Sequence, residues 1–398
     1  MPKISLRGME MPASPIRKLV PLANKVKAQG VKVYHLNIGQ PDILTPQVGL
    51  DALKNIDLKI LEYSPSDGLQ SFREKLVKYY QKFDINVQAD EIIVTTGGSE
   101  AINFAFGACL DPGDEIIVPE PTYANYFAFA LALGVRIKTI KTRIEDGFAL
   151  PPVEKFEELI TPKTKAILIC SPNNPTGTLY TEQEMNQLRD IVKKYDLFLF
   201  SDEVYREFCY TGEPYVSSFH LKGIENNVVM VDSVSKRYSE CGIRIGAIVT
   251  KNKEVRNTAM KWGQARLSPP LLGQIVAEAS LDTSDEYMQS VYNEYISRRD
   301  FLVERLNRIP GCFTPVPRGA FYTVVRLPVD DADQFCAWCL NDFSHEGQTV
   351  MLAPASGFYA TPGLGRNEAR IAYVLNKEDL SKALIVLEKA LEAYPHKA

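Results

Sequence analysis

Between residues 90 and 250 the chain repeats one pattern: a short apolar run rich in β-branched side chains, then a stretch of helical length. The apolar runs lie at 91–95 (EIIVT), 115–118 (EIIV), 165–169 (KAILI), 197–200, 228–231 and 243–249. Helical stretches fall between them, at 99–110, 126–133 and 181–195. The last opens with Thr181 and Glu184, the spacing of a capping box. A strand that is apolar on both faces must be covered on both, and helices alternating with such strands supply the cover. The pattern predicts an α/β fold on a mainly parallel sheet.

After residue 280 the character changes. Residues 285–308 form one long, charged helical stretch that ends at Pro310-Gly311. Beyond it come a strand at 321–326 (FYTVVR), a helix at 331–343, a strand at 370–374 and a helix at 377–394. Near the start lie a helix at 15–29 and a strand at 33–37. At about 100–200 residues per domain, 398 residues suggest two or three. The expected division is a large domain over 46–285 and a smaller α+β domain built from 1–45 and 286–398.

Composition narrows the function. The net charge is −4, with 45% hydrophobic and 24% charged residues, so no nucleic-acid or anionic-membrane partner is expected. Residues 1–10 lack the apolar core of a secretory signal. The most apolar stretch, 126–135, is far short of the roughly 20 residues of a membrane helix. A cytoplasmic protein is expected. Its seven cysteines are scattered, which fits reduced thiols. Cys336 and Cys339 have CxxC spacing but no second pair, so they read as two positions on an amphipathic helix. None of the four histidines (His35, His220, His345, His396) sits in an HExxH pattern, and no metal site is expected.

Four segments at strand ends carry chemistry, where α/β sheets place ligands. Ser233-Val-Ser-Lys236 precedes Gly242-Ile-Arg244-Ile-Gly246. A lysine there suits an imine with an aldehyde cofactor, and Arg244 with Ser233 suits a phosphate. Alone, the segment equally fits a surface lysine near a turn. Asp202, in Ser201-Asp-Glu-Val-Tyr205, is placed to pair with a protonated pyridine nitrogen or simply to cap a helix. Ser171-Pro-Asn-Asn-Pro-Thr-Gly177 is a rigid turn, either a connector or a mount for Asn174. Thr95-Thr-Gly-Gly-Ser-Glu100 starts a helix whose N–H groups can meet phosphate.

Together, NPTG, DEVY and SxSK with GxRxG stand in the order and spacing of the class I aminotransferases, which the chain resembles over nearly its whole length. The resemblance is to the pyridoxal-phosphate (PLP) enzymes of fold type I. It implies a mostly parallel seven-stranded sheet, a small domain from both termini, and a homodimer with shared active sites. It further implies that Lys236 holds the cofactor and that Asp202 faces the ring nitrogen. Tyr205 and Asn174 match the partners of the ring oxygen. Gly98, Ser99, Ser233 and Arg244 match the phosphate cradle, and Tyr123 matches the aromatic stacked on the ring. Arg370 matches the arginine for the substrate α-carboxylate, and Gly39 the glycine of a substrate-side loop. Tyr63 matches a tyrosine that reaches the partner subunit's phosphate.

The implied activity is two-stage amino transfer between an L-amino acid and a 2-oxo acid, with Lys236 moving the α-proton. Aspartate with 2-oxoglutarate is the expected pair. Arg266 is the candidate for the side-chain carboxylate, with Arg17 and Lys261 as weaker options, although Arg266 is not placed as in the best-known branch. Aromatic or alanine aminotransferase, or a PLP-dependent lyase acting on C–S bonds or forming aminocyclopropane-carboxylate, are the alternatives. A non-enzymatic regulator on the same fold would normally carry an added DNA-binding domain.

Overall fold

The computed structural model describes residues 2–397. Its centre is a seven-stranded sheet in the order Ile92–Thr95, Gly246–Val249, Val228–Ser233, Phe198–Asp202, Thr164–Cys170, Glu115–Glu120, Arg136–Lys141. All strands run parallel except Gly246–Val249, which is antiparallel to both neighbours. The five strands from Ile92–Thr95 to Thr164–Cys170 in that order are almost wholly buried. Apolar cores lie on both faces, one around Ile167 and Met230, the other around Phe106 and Leu168. That two-sided burial is what the continuous apolar runs require.

The edge strand Arg136–Lys141 (RIKTIK) has no counterpart among the expected strands. Its partly exposed pattern mixes charge with apolar residues, as an edge strand permits. The helix Glu182–Tyr195 begins with the expected capping box: Thr181 accepts from the Glu184 N–H, and Glu184 accepts from the Thr181 N–H at 2.7 Å.

The N-terminal helix is shorter than expected. It spans Val20–Ala28, with Pro21 in its first turn, where the missing N–H costs nothing. A helix running from residue 15 would put that proline in its interior. Residues 14–18 instead form a turn, in which Arg17 and Lys18 N–H groups bond to the Ser14 carbonyl. The first strand is Lys32–His35, pairing in parallel with Gln348–Met351.

Both ends of the chain share one apolar core. Leu19, Ala23, Val33 and Leu36 pack with Leu302, Phe335, Cys336, Cys339, Val350 and Leu384. Cys336 and Cys339 are buried on the helix Ala332–Asn341 inside that core. A three-stranded antiparallel sheet, with Glu368–Ala372 at its centre, completes this unit. The helix Asp285–Arg308 packs against the C-terminal helix Lys377–Ala393. Among the described residues no helix is long and apolar enough to cross a membrane.

Candidate active site

The carboxyl ends of the strands closing at Cys170, Asp202 and Ser233 open onto one cavity of about 660 Å³. Lys236 lies in the one-turn helix Val234–Arg237, directly after the last of them. Its Nζ is 3.1 Å from the Gly39 carbonyl and 3.6 Å from Cys241 Sγ. Ser233 fixes the turn: its Oγ donates to the Ile245 carbonyl at 2.9 Å and accepts from the Ser235 N–H at 3.2 Å.

Asp202 is buried, and one carboxylate oxygen accepts from the Tyr126 hydroxyl at 2.6 Å. Burial pushes its carboxyl up to about 6, because removing water penalises the charged form. A cationic partner in the cavity would restore the carboxylate.

Next to it runs a chain of polar contacts. Asn174 Nδ2 lies 3.5 Å from the Tyr205 hydroxyl, which is 3.0 Å from the Tyr322 hydroxyl. Asn174 Oδ1 accepts from Arg370 Nη1 at 3.0 Å, and Arg370 Nη2 donates to the Asn37 carbonyl. Arg370 is 1% exposed, with its guanidinium 4.7 Å from the Tyr322 ring centre and 5.1 Å from that of Phe358. Its Nε has no hydrogen-bond partner among the described residues. A buried guanidinium with an orphan donor beside a cavity fits an anionic ligand.

At the far side the helix Gly97–Cys109 points its N-terminus at the cavity, and Thr96 makes no side-chain cap. Gly97 has φ +73°, and a β-carbon there would fall 2.3 Å from Arg244 Nη2. Free N–H groups at Gly98 and Ser99, with Arg244 alongside, form an anion cradle. Gly39 is required by close approach: a β-carbon would sit 1.8 Å from the Tyr322 hydroxyl. Tyr123 also lines the cavity, with its ring edge-on to Tyr126 at 5.3 Å.

Beneath the cavity lies a buried ion network. Asp232 pairs with Arg237, accepts from the Tyr80 hydroxyl at 2.9 Å, and is 3.7 Å from Arg206. Arg206 also pairs with Glu203 at 3.1 Å, and Glu203 accepts from Ser217 and Ser218. Burial opposes ionisation of Asp232, but Arg237 and Arg206 overcome it and hold its carboxyl below the usual value. Glu203 follows Asp202, Asp232 precedes Ser233, and Arg237 follows Lys236, so the network holds three cavity residues through the backbone. Removing Asp232 would leave two buried cations short of a partner. Asp232→Ala is expected to cost about 3 kcal/mol, seen as a lower thermal midpoint; an unchanged midpoint would show the network to be dispensable.

Two expected site residues lie elsewhere. Tyr63 is 78% exposed, in an open groove beside Arg266, Thr96 and Pro269 rather than in the cavity. Arg266 corrects the expectation of a substrate-binding arginine. Its Nη1 pairs with Glu100 at 2.7 Å, its Nη2 donates to the Ser66 and Val94 carbonyls at 3.1 Å each, and its Nε donates to the Gly263 carbonyl. No bidentate edge of the guanidinium is left for a substrate. Lys261 is exposed on the helix Lys253–Ala265 and does not line the cavity. Arg17 does line it.

Sequence reasoning missed Tyr322, Tyr126 and Cys241. Tyr126 was discoverable, standing one turn after Tyr123. Tyr322 and Cys241 carry no signal beyond an alternating strand and a loop.

The family model for aminotransferases of class I and II matches residues 31–387. The chain belongs to the class I and II aminotransferases. This aminotransferase is 30% identical over 395 residues to the aspartate aminotransferase of Pyrococcus horikoshii, covering 98% of this chain and 97% of that one. The crystal structure of the Thermotoga maritima aspartate aminotransferase superposes with a TM-score of 0.89 at 30% identity, over 98% and 100% of the two chains. The alanine aminotransferase of Pyrococcus furiosus superposes with a TM-score of 0.90 at 30% identity, over the same shares. The α/β architecture with its mostly parallel sheet is therefore that of the fold type I aminotransferases, and the chain is a transaminase.

Proposed function

We propose that this aminotransferase uses pyridoxal phosphate to exchange amino groups between aspartate and 2-oxoglutarate. The observation that carries the cofactor is the convergence of Lys236, Asp202, Arg370 and a helix N-terminus on one cavity. The residues fit the group. Gly98, Ser99, Ser233 and Arg244 would hold its phosphate, Asp202 its ring nitrogen, Asn174 and Tyr205 its ring oxygen, and Tyr123 would stack on its face. When bound, it supplies an aldehyde and an electron-withdrawing ring that accepts the charge left at a substrate α-carbon.

The chain's own residues do the rest. Arg370 holds the α-carboxylate, with its plane set by Tyr322, Phe358 and the Asn37 carbonyl. Lys236 Nζ takes the α-proton and returns it as general base and acid. Its place beside the Gly39 carbonyl keeps the amine on the small-domain side of the cavity. Asp202 keeps a proton on the ring nitrogen. Names of relatives support aspartate.

The test is turnover of the PLP-loaded protein with aspartate and 2-oxoglutarate, compared with alanine and aromatic amino acids. Aspartate as the best donor is expected. Release of pyruvate, ammonia and a thiol from cystathionine without an oxo acid would instead favour a C–S lyase.

A homodimer with shared sites is part of the same reading. Of the sixteen exposed large hydrophobic side chains among the described residues, four lie in residues 4–11 and seven in residues 44–63, including Tyr63. So concentrated an apolar surface suits a subunit interface. If Tyr63 serves the partner's phosphate, Lys236→Ala and Tyr63→Ala chains complement each other. Mixed after co-refolding, the two variants are expected to recover activity well above the sum of each alone. No gain on mixing would place Tyr63 outside the shared site.

A further inference from the structure

The cavity holds more positive charge than its assigned tasks use. Arg17, Lys236, Arg244 and Arg370 line it, against Asp202 as its one carboxylate among the described residues. Under the proposed function, Arg244 meets the phosphate, Arg370 the α-carboxylate, and Lys236 moves the proton. Arg17 is left over. Its guanidinium makes no hydrogen bond or ion pair with any described residue, whereas its neighbour Lys18 is paired with Asp333.

The segment that carries Arg17 is nevertheless fixed. Asn37 donates through Nδ2 to the Ile16 carbonyl at 2.7 Å, and the carbonyl of the same Asn37 accepts from Arg370. One asparagine thus ties the Arg17 segment to the α-carboxylate arginine. Pro15 packs on Gly357, where a β-carbon would fall 2.5 Å from Pro15 Cβ. The Ser14 carbonyl closes the turn. With both flanks anchored, Arg17, an exposed residue, lines the cavity at its solvent side together with Ile38 and Gly39.

We propose that Arg17 is the specificity residue for the substrate's second carboxylate, supplied by the same chain that carries Lys236. This rests on the aminotransferase reading and adds the group that selects dicarboxylic over neutral side chains. It gives to Arg17 the task that Arg266 cannot perform. A single cation paired with one carboxylate at a partly open site distinguishes ligands by roughly 30-fold.

The test is calorimetric titration of the PLP-loaded protein with succinate, which has two carboxylates, and propionate, which has one. Wild type, Arg17→Gln and Arg370→Lys are compared. Arg17→Gln is expected to weaken succinate about 30-fold while moving propionate by less than about threefold, and Arg370→Lys to weaken both. Equal retention of succinate by Arg17→Gln would overturn the assignment. So would a wild-type protein that binds succinate no better than propionate. Turnover of the wild type with aspartate and 2-oxoglutarate, measured on the same preparation, shows separately whether the aminotransferase reading stands.

Discussion

Replacing Lys236 with alanine is expected to lower turnover by at least about 10⁴-fold, the upper range for loss of a positioned general acid–base. The expectation is this large because no other described group is placed to take over. Cys241 Sγ is 3.6 Å from Nζ, but its thiol sits against the Ser235 carbonyl at 3.1 Å. The Tyr205 and Tyr322 hydroxyls are engaged with each other. Cofactor affinity should survive in part, since the phosphate cradle at Gly97–Ser99 and Arg244 does not depend on the amine. Equilibrium dialysis of PLP beside a turnover assay separates the two effects. Turnover within about tenfold of wild type would remove Lys236 from the proton path.

Asp202→Asn is expected to cost about 10³-fold in kcat. An amide keeps the Tyr126 contact and the shape of the site but cannot hold a proton on a ring nitrogen. In a buried site, loss of one charge from such a pair is worth several kcal/mol. A second readout follows from the raised carboxyl. In the free protein Asp202 takes up a proton as pH falls through about 6. Binding that requires the carboxylate must then expel this proton, so cofactor affinity weakens by about tenfold per unit below that pH. Above it the carboxylate is already present and this source of pH dependence vanishes. Asp202→Asn should abolish the acid-side fall. A variant that kept both the turnover and the pH dependence of wild type would place the controlling charge elsewhere.

The strands of the sheet were legible because they are buried on both faces, and an unbroken apolar run as short as 165–169 between turn-rich stretches fits a covered strand better than a helix. Arg136–Lys141 escaped because an edge strand needs no such run. The helices Gln47–Lys54, Gln70–Gln81, Lys253–Ala265 and Leu271–Ser280 were not singled out either, as they lie outside the alternating motif. Within the site, residues next to strand ends announced themselves. Lys236, Asp202 and Asn174 each follow an apolar run, and the fold brings them to one cavity. Arg17 and Arg266 show the limit. Both are arginines near turns, and only tertiary contacts reveal that Arg266 is consumed by Glu100 and backbone carbonyls while Arg17 is not. Tyr322 enters through a close approach to Gly39, 283 positions earlier in the chain.

The pairing of Lys32–His35 with Gln348–Met351 has a consequence for biosynthesis. The early strand emerges from the ribosome roughly 300 residues before its partner exists. At about 5–20 residues per second it waits some 15–60 seconds with its edge unsatisfied. During that wait the central sheet, whose last strand ends at Val249, can already form. The nascent chain therefore passes through a state in which a finished sheet trails an uncommitted leading segment, one that chaperones and proteases meet first.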